Sequence, residues 1–236
     1  MLPWLTPDTP DRLKAVRETS LAKLVRDDLL QAILQGDLPP GARINEPDVC
    51  ARLQVSRVPV REALRELESS GLVVSRKHAG VFVRTIEADE VGELYEMRSI
   101  LDAQAGWRAA ALPLPERAAL VQALQDSIAL MHAASAQREL AAYYQQNLHF
   151  HWLIMAASGN RTMGQTYQAL VQRLHLARLK NLAQDFGMRT SIAEHERIAQ
   201  AIDQGEADSA RRLLAEHVSG AHQRLLQGPR STPPKT

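Results

Sequence analysis

Three arginines, Arg57, Arg61 and Arg65, recur every four residues, a spacing that sets them on one face of a helix. Val60, Ala63, Leu64 and Leu67 take the other face and pack on a core. The guanidinium row therefore meets solvent, where it can donate paired hydrogen bonds to guanine or clamp phosphates. A second group lies much further along the chain: His151, His195 and His217 fall in three separate helical segments. Asn147 precedes His151 by one turn, about 40° around the helix, whereas His149 is turned away by about 200°. His195 stands about ten residues before the short turn at Gly205 and His217 about twelve after it, so two antiparallel helices carry both rings at one height. Three imidazoles can thus converge inside a bundle, and neutral imidazole suits Zn, Ni or a similar divalent ion. The plainer alternative is three hydrogen-bonded core histidines.

These residues must be positioned by helices. From Ser20 to Gln35 the apolar residues Leu21, Leu24, Val25, Leu29 and Ile33 recur at helical spacing, with Ser20 as cap and Gly36 after the last turn. A short helix fits Glu46–Leu53 behind Asn45, and a third runs from Ser56 to about Ser70, with Pro59 in its first turn, where a missing N–H costs nothing. Leu72-Val73-Val74 and Val81-Phe82-Val83 flank Lys77-His78-Ala79-Gly80 and predict a hairpin with Lys77 and His78 at its tip. Between residues 52 and 84 the basic residues are Arg52, Arg57, Arg61, Arg65, Arg76, Lys77 and Arg84, against Glu62, Glu66 and Glu68. An isolated arginine row is usually a solvated face with i,i+4 pairs; three helices followed by a hairpin give this one a docking role, because that layout is a winged helix-turn-helix.

After Thr85 the pattern is helical throughout. Helices are expected near 88–111, 115–134, 136–157, 160–185, 188–204 and 206–227, each with an aliphatic stripe, and an antiparallel bundle is the natural packing. The fold class is thus mostly α: an N-terminal winged helix-turn-helix at 20–85 and a C-terminal all-helical bundle at 86–227. A loose arm is expected at 1–19 and a disordered tail at 228–236. Apolar residues make up 45% of the 236, enough for two cores. The net charge of +1 gives no global basic field, so any nucleic-acid footprint is local. Cys50, the one cysteine, permits no intramolecular disulfide and is expected to be buried and structural. No signal peptide or membrane span is apparent, and a cytoplasmic protein is expected.

Gly36-Asp37-Leu38-Pro39-Pro40-Gly41, Val55-Ser56-Arg57-Val58-Pro59-Val60-Arg61-Glu62-Ala63-Leu64, Leu67-Glu68 and Gly71-Leu72-Val73 resemble the GntR family of bacterial transcription regulators over about 60 continuous residues. The resemblance implies that Ser56, Arg57 and Arg61 touch DNA, that Arg65 flanks them, and that Gly80 shapes the wing. Two departures remove expected contacts: Pro47 stands where some members carry a DNA-reading arginine, and Ala79 where an arginine often precedes the wing glycine.

The helical half resembles the FCD effector domain of the FadR-like branch, through Glu93-Leu94-Tyr95-Glu96-Met97-Arg98, Asn147-Leu148-His149-Phe150-His151, Ser158-Gly159-Asn160, Glu194-His195-Glu196-Arg197-Ile198 and His217. It implies a small organic acid effector beside a divalent metal held by Asn147, His151, His195 and His217, with Asn147 where many relatives have aspartate. It also turns Arg98 into the cavity toward a ligand carboxylate, a partner that suits a guanidinium. Asp102 lies one turn further on the same face, and an intramolecular Arg98–Asp102 pair is the competing arrangement. Tyr95, Tyr143, Tyr144 and Tyr167 are further candidates for the pocket; His132, His175 and His222 are expected at the surface. The resulting expectation is a homodimer on a palindromic double-stranded DNA operator, responsive to its effector. A helical half that only dimerises, or a metal-dependent hydrolase, are the alternatives.

Overall fold

The computed structural model describes residues 21–179 and 187–227. The expected N-terminal arm with Ser20, the C-terminal tail and the end of the helix expected at 160–185 fall outside them. The described residues form two compact units: 21–88 together with 171–179, and 89–170 together with 187–227.

The first unit runs α1 (Leu21–Gln35), β1 (Arg43–Ile44), α2 (Glu46–Leu53), α3 (Arg57–Ser69), β2 (Val73–Arg76) and β3 (Gly80–Val83). Its core is the apolar stripe of α1 (Val25, Leu29, Ile33) against that of α3 (Val60, Ala63, Leu64, Leu67). The helix α2 begins with Pro47 in its first turn and stops at Gln54, which is left-handed at φ 55° and donates its N–H to the Cys50 carbonyl. Cys50 is half-buried, not fully enclosed as expected, because only Val49 of this short amphipathic helix reaches the core.

The expected hairpin forms, and a third strand joins it. The antiparallel order is β1-β3-β2, with Arg43 opposite Phe82 and Ile44 opposite Val81. At two residues β1 is too short to show an alternating pattern in sequence. In the hairpin, His78 and Gly80 both have positive φ, 62° and 102°, and the Ala79 N–H bonds the Arg76 carbonyl. A Cβ on Gly80 would sit 3.3 Å from Arg43 Nε, so both backbone angle and space favour glycine there.

The second unit contains α4 (Ala88–Ala110), α5 (Leu114–Gln137), α6 (Leu140–Ala157), the first half of α7 (Arg161–Leu179), α8 (Met188–Asp203) and α9 (Ala207–Gln227). The helix α5 packs on α6 and α8, and α8 on α9. It ends later than expected, at Arg138 in the left-handed region, because Ala134 and Ser135 carry no helix-breaking chemistry. At Gly106 of α4 an added Cβ would overlap Leu214 Cδ1 and stand 3.3 Å from the Ala210 carbonyl, so α4 and α9 approach closely there.

The later half of α7 packs within the first unit. His175, expected at the surface, is 7% exposed, with Nε2 2.9 Å from the Leu34 carbonyl oxygen. That oxygen lies in the last turn of α1, where carbonyls lack intrahelical donors; the imidazole supplies one. His222 also departs from the surface expectation. It is half-buried and stacks on Tyr95 at 4.8 Å and 9°. His132 is exposed.

Candidate functional sites: a DNA-reading face and a histidine cluster

Arg57, Arg61 and Arg65 are exposed on α3 while its apolar face is buried. Ser56 is extended at the N-cap and makes no side-chain capping bond, so its exposed hydroxyl stands at the helix N-terminus, a location that favours phosphate. Two acids of the same helix, Glu66 and Glu68, are held elsewhere. Glu66 pairs with Arg26 at 3.0 Å, and Glu68 accepts from the Ser75 N–H at 2.7 Å and hydroxyl at 3.0 Å. Arg61 alone of the row is paired among the described residues, through Nε to Glu46 at 3.0 Å. Arg52, counted in the basic stretch, is drawn back to Asp28 of α1 at 2.5 Å. Arg76 lies over the Phe82 ring, 4.6 Å from its centroid. Lys77, His78 and Gly80 are exposed at the tip.

In the bundle, α4 contributes Arg98 and Asp102, α6 Asn147 and His151, α7 Tyr167, α8 Glu194 and His195, and α9 His217 and Arg224. His151 and His195 are fully buried, His217 is 4% exposed and Asn147 7%. The three imidazoles meet through one edge. His151 Nε2 lies 3.2 Å from His217 Nε2 and 3.4 Å from His195 Nε2. The Phe150 ring closes on His195, with centroids 4.4 Å apart.

The outer nitrogens differ. His151 Nδ1 donates to Asp102 Oδ1 at 3.0 Å, and His217 Nδ1 donates to Glu194 Oε2 at 2.6 Å. His195 Nδ1 is buried with no hydrogen-bond partner. Each carboxylate is itself held: Arg98 Nε bonds Asp102 Oδ2 at 3.1 Å, Tyr167 donates to the same oxygen at 3.4 Å, and Arg224 grips both oxygens of Glu194 at 3.1 and 3.0 Å. Arg98 is therefore buried and paired with Asp102, the intramolecular arrangement of the two open from sequence. Asp102 joins the cluster as the partner of His151. Glu194 and Arg224 had no signal as a pair in sequence, because they approach only once α8 and α9 fold together.

Burial keeps these imidazoles neutral. It pushes His151 down to about 4 against the opposing pull of Asp102, His217 down against Glu194, and His195 well down, aided by the other two rings and Arg98. The carboxylates stay ionised despite burial: His151 and Arg98 lower Asp102, and His217 and Arg224 bring Glu194 to about 2. A neutral histidine that donates through Nδ1 presents a lone pair at Nε2. Two such lone pairs face each other across 3.2 Å. Nitrogens bound at about 2.0–2.1 Å to one tetrahedral ion stand about 3.4 Å apart, so the spacing suits a shared cation. His151, His195 and His217 form the one such group of His, Cys, Asp and Glu among the described residues.

An arginine-faced third helix with a hairpin wing, followed along the chain by a helical bundle, defines a winged helix-turn-helix regulator with an all-helical second half. Residues 21–83 match the family model described as bacterial regulatory proteins, gntR family, and 93–220 match the FCD domain. A "Probable D-xylose utilization operon transcriptional repressor" of Paenarthrobacter nicotinovorans is 31% identical, over 87% of this chain and 89% of that one. The Nta operon transcriptional regulator of Aminobacter aminovorans is 27% identical, over 80% and 86%. A GntR transcriptional regulator structure from Rhodococcus sp. RHA1 superposes with a TM-score of 0.69 at 27% identity, covering 89% of this chain and 99% of that one. The chain belongs to the GntR family and carries an FCD domain. It is a DNA-binding transcription regulator and not an enzyme, so the hydrolase alternative falls. Among the described residues no helix is long and apolar enough to cross a membrane.

Proposed function

We propose that the protein is an effector-responsive regulator whose bundle holds one divalent metal ion through His151, His195 and His217, with the Asn147 amide beside them. The observation that carries this is the 3.2 Å approach of the His151 and His217 Nε2 atoms while both Nδ1 atoms are tied to carboxylates. Asp102 and Glu194 fix the tautomer and orientation of their rings, the usual role of carboxylates behind metal-bound imidazoles. When bound, the ion supplies a Lewis-acid centre for an oxygen of a small organic acid. Arg98 lies behind Asp102 at the same buried site, and its second role is to orient the acid's carboxylate.

In the head, Ser56, Arg57, Arg61 and Arg65 enter the major groove, and Lys77 and His78 follow the backbone beside a wing that turns at Gly80. The operator is palindromic and is bound by a dimer, with half-sites about one helical turn apart. Met97, Ile100 and Trp107 support dimerisation: they are 46%, 56% and 39% exposed on one side of α4, an apolar stripe fit for a second copy. Effector binding changes operator affinity through a coupling of about 1–3 kcal/mol. By function the chain divides into a DNA-binding head at 20–85 and a sensor and dimerisation half at 86–227, although residues 171–179 of that half pack in the same compact unit as the head.

The test titrates the purified protein against its own promoter DNA with and without chelator, zinc or nickel, and a panel of organic acids. Operator affinity that shifts severalfold only when metal and acid are both present supports the reading. Identical affinity under every condition contradicts it and leaves a DNA-binding dimer with a structural bundle.

A further inference from the structure

We propose that the acid sensed at the histidine cluster is a dianion, a dicarboxylate or an acid with a comparable second negative group, and not a monocarboxylate. The inference rests on the metal reading above and follows from the charges around the cluster. Imidazoles bind metal in their neutral form, so His151, His195 and His217 bring no charge. Asn147, buried one turn before His151 on the same helix, brings an uncharged amide. The two carboxylates that touch the cluster are already matched: Asp102 by Arg98 at 3.1 Å, and Glu194 by both Arg224 nitrogens at 3.1 and 3.0 Å. Each acid–arginine pair sums to zero. Among the described residues the cluster therefore receives a divalent ion with no net negative charge to meet it.

Two uncompensated positive charges beside fully buried His151 and His195 are costly in a low-dielectric interior. A monocarboxylate cancels one of them; a dianion cancels both. Asn147 thereby sets the charge of the effector. An aspartate at that position would supply one negative charge from the protein and leave room for one from the ligand.

The experiment uses full-length protein loaded with zinc, its metal content measured on the same sample. Calorimetry compares succinate with butyrate and malate with lactate, pairs that differ chiefly by one carboxylate. Wild-type protein is expected to bind the dicarboxylates tighter by about tenfold or more. In Asn147→Asp, nearly the same size, that ratio is expected to shrink toward one as succinate weakens, while circular dichroism and zinc content stay unchanged. Butyrate and lactate binding as tightly as their partners, no binding of either dicarboxylate, or the same ratio in Asn147→Asp, on protein holding one ion per chain, would each overturn the inference alone. Protein that takes up no zinc overturns the metal reading and this inference with it.

Discussion

His151 and His217 come within 3.2 Å of each other through Nε2 although each ring already gives its Nδ1 proton to a carboxylate, Asp102 and Glu194 respectively. In this arrangement neither ring has a proton for the other. Two lone pairs at that distance repel in the absence of a cation, and burial disfavours adding a proton to either ring. A cation between the two Nε2 atoms would relieve that repulsion, which is the basis of the proposed metal site.

The carboxylates behind the rings should therefore control metal affinity without touching metal. Asp102→Asn and Glu194→Gln are each expected to weaken zinc binding about 10–100-fold, read by competition with a chromophoric chelator. Unchanged affinity in both variants would mean that these bonds serve packing only.

Arg98 and Asp102 are 4% and 0% exposed as side chains and pair at 3.1 Å. Arg98→Ala leaves the carboxylate buried with less compensation, and a loss of about 3–5 kcal/mol is expected by urea unfolding of the metal-free protein. A change below about 1 kcal/mol would show that His151 and Tyr167 suffice to hold Asp102.

On the head, Arg57→Ala and Arg61→Ala are each expected to weaken operator binding by about 1–3 kcal/mol and relax sequence preference, because they would remove base contacts. Lys77→Ala should weaken specific and random DNA alike and lower the slope of log affinity against log salt by about one. Loss of preference in Lys77→Ala, with none in Arg61→Ala, would move base reading from α3 to the wing. Gel shifts over a salt series on wild-type and point-mutated operators distinguish the two.

Acid should destabilise the metal-free protein over a defined range. An unfolded histidine titrates near 6.5 and folded His151 near 4, so between these values the unfolded chain binds more protons and stability is lost as the pH is lowered. His195 and His217 act in the same direction. Glu194 adds stability that is present above its ordinary 4.5 and is lost as pH falls through about 2. Thermal unfolding in chelator should show a midpoint that drops from pH 7 to pH 4 and keeps dropping below it. A flat midpoint from pH 7 to pH 4 would contradict neutral burial of the rings.

The parts legible in sequence were those fixed by one helix or by two helices sharing a short turn. The four-residue spacing of Arg57, Arg61 and Arg65 sets a face whatever the rest of the chain does, and the structure leaves that face exposed. His195 and His217 could be set at one height because Gly205 fixes the register of the helices around it. Contacts between distant segments left no such trace. His175 looks like a surface residue until the carbonyl of Leu34 is known to lie 2.9 Å away. The bidentate grip of Arg224 on Glu194 depends on side-chain direction across α8 and α9, which spacing does not encode. Two-residue β1 was hidden because its pairing with β3, not its composition, makes it a strand.

The proposed function stands on His151, His195 and His217 holding one metal ion between them. Native mass spectrometry of the full-length protein, before and after zinc addition, tests it most directly against the variant carrying His151→Ala, His195→Ala and His217→Ala. A mass increase of one divalent ion per wild-type chain and none in the variant is expected, with both proteins giving the same far-ultraviolet circular dichroism. A wild-type protein that stays folded and gains no metal, or a variant that binds it equally well, would contradict the account.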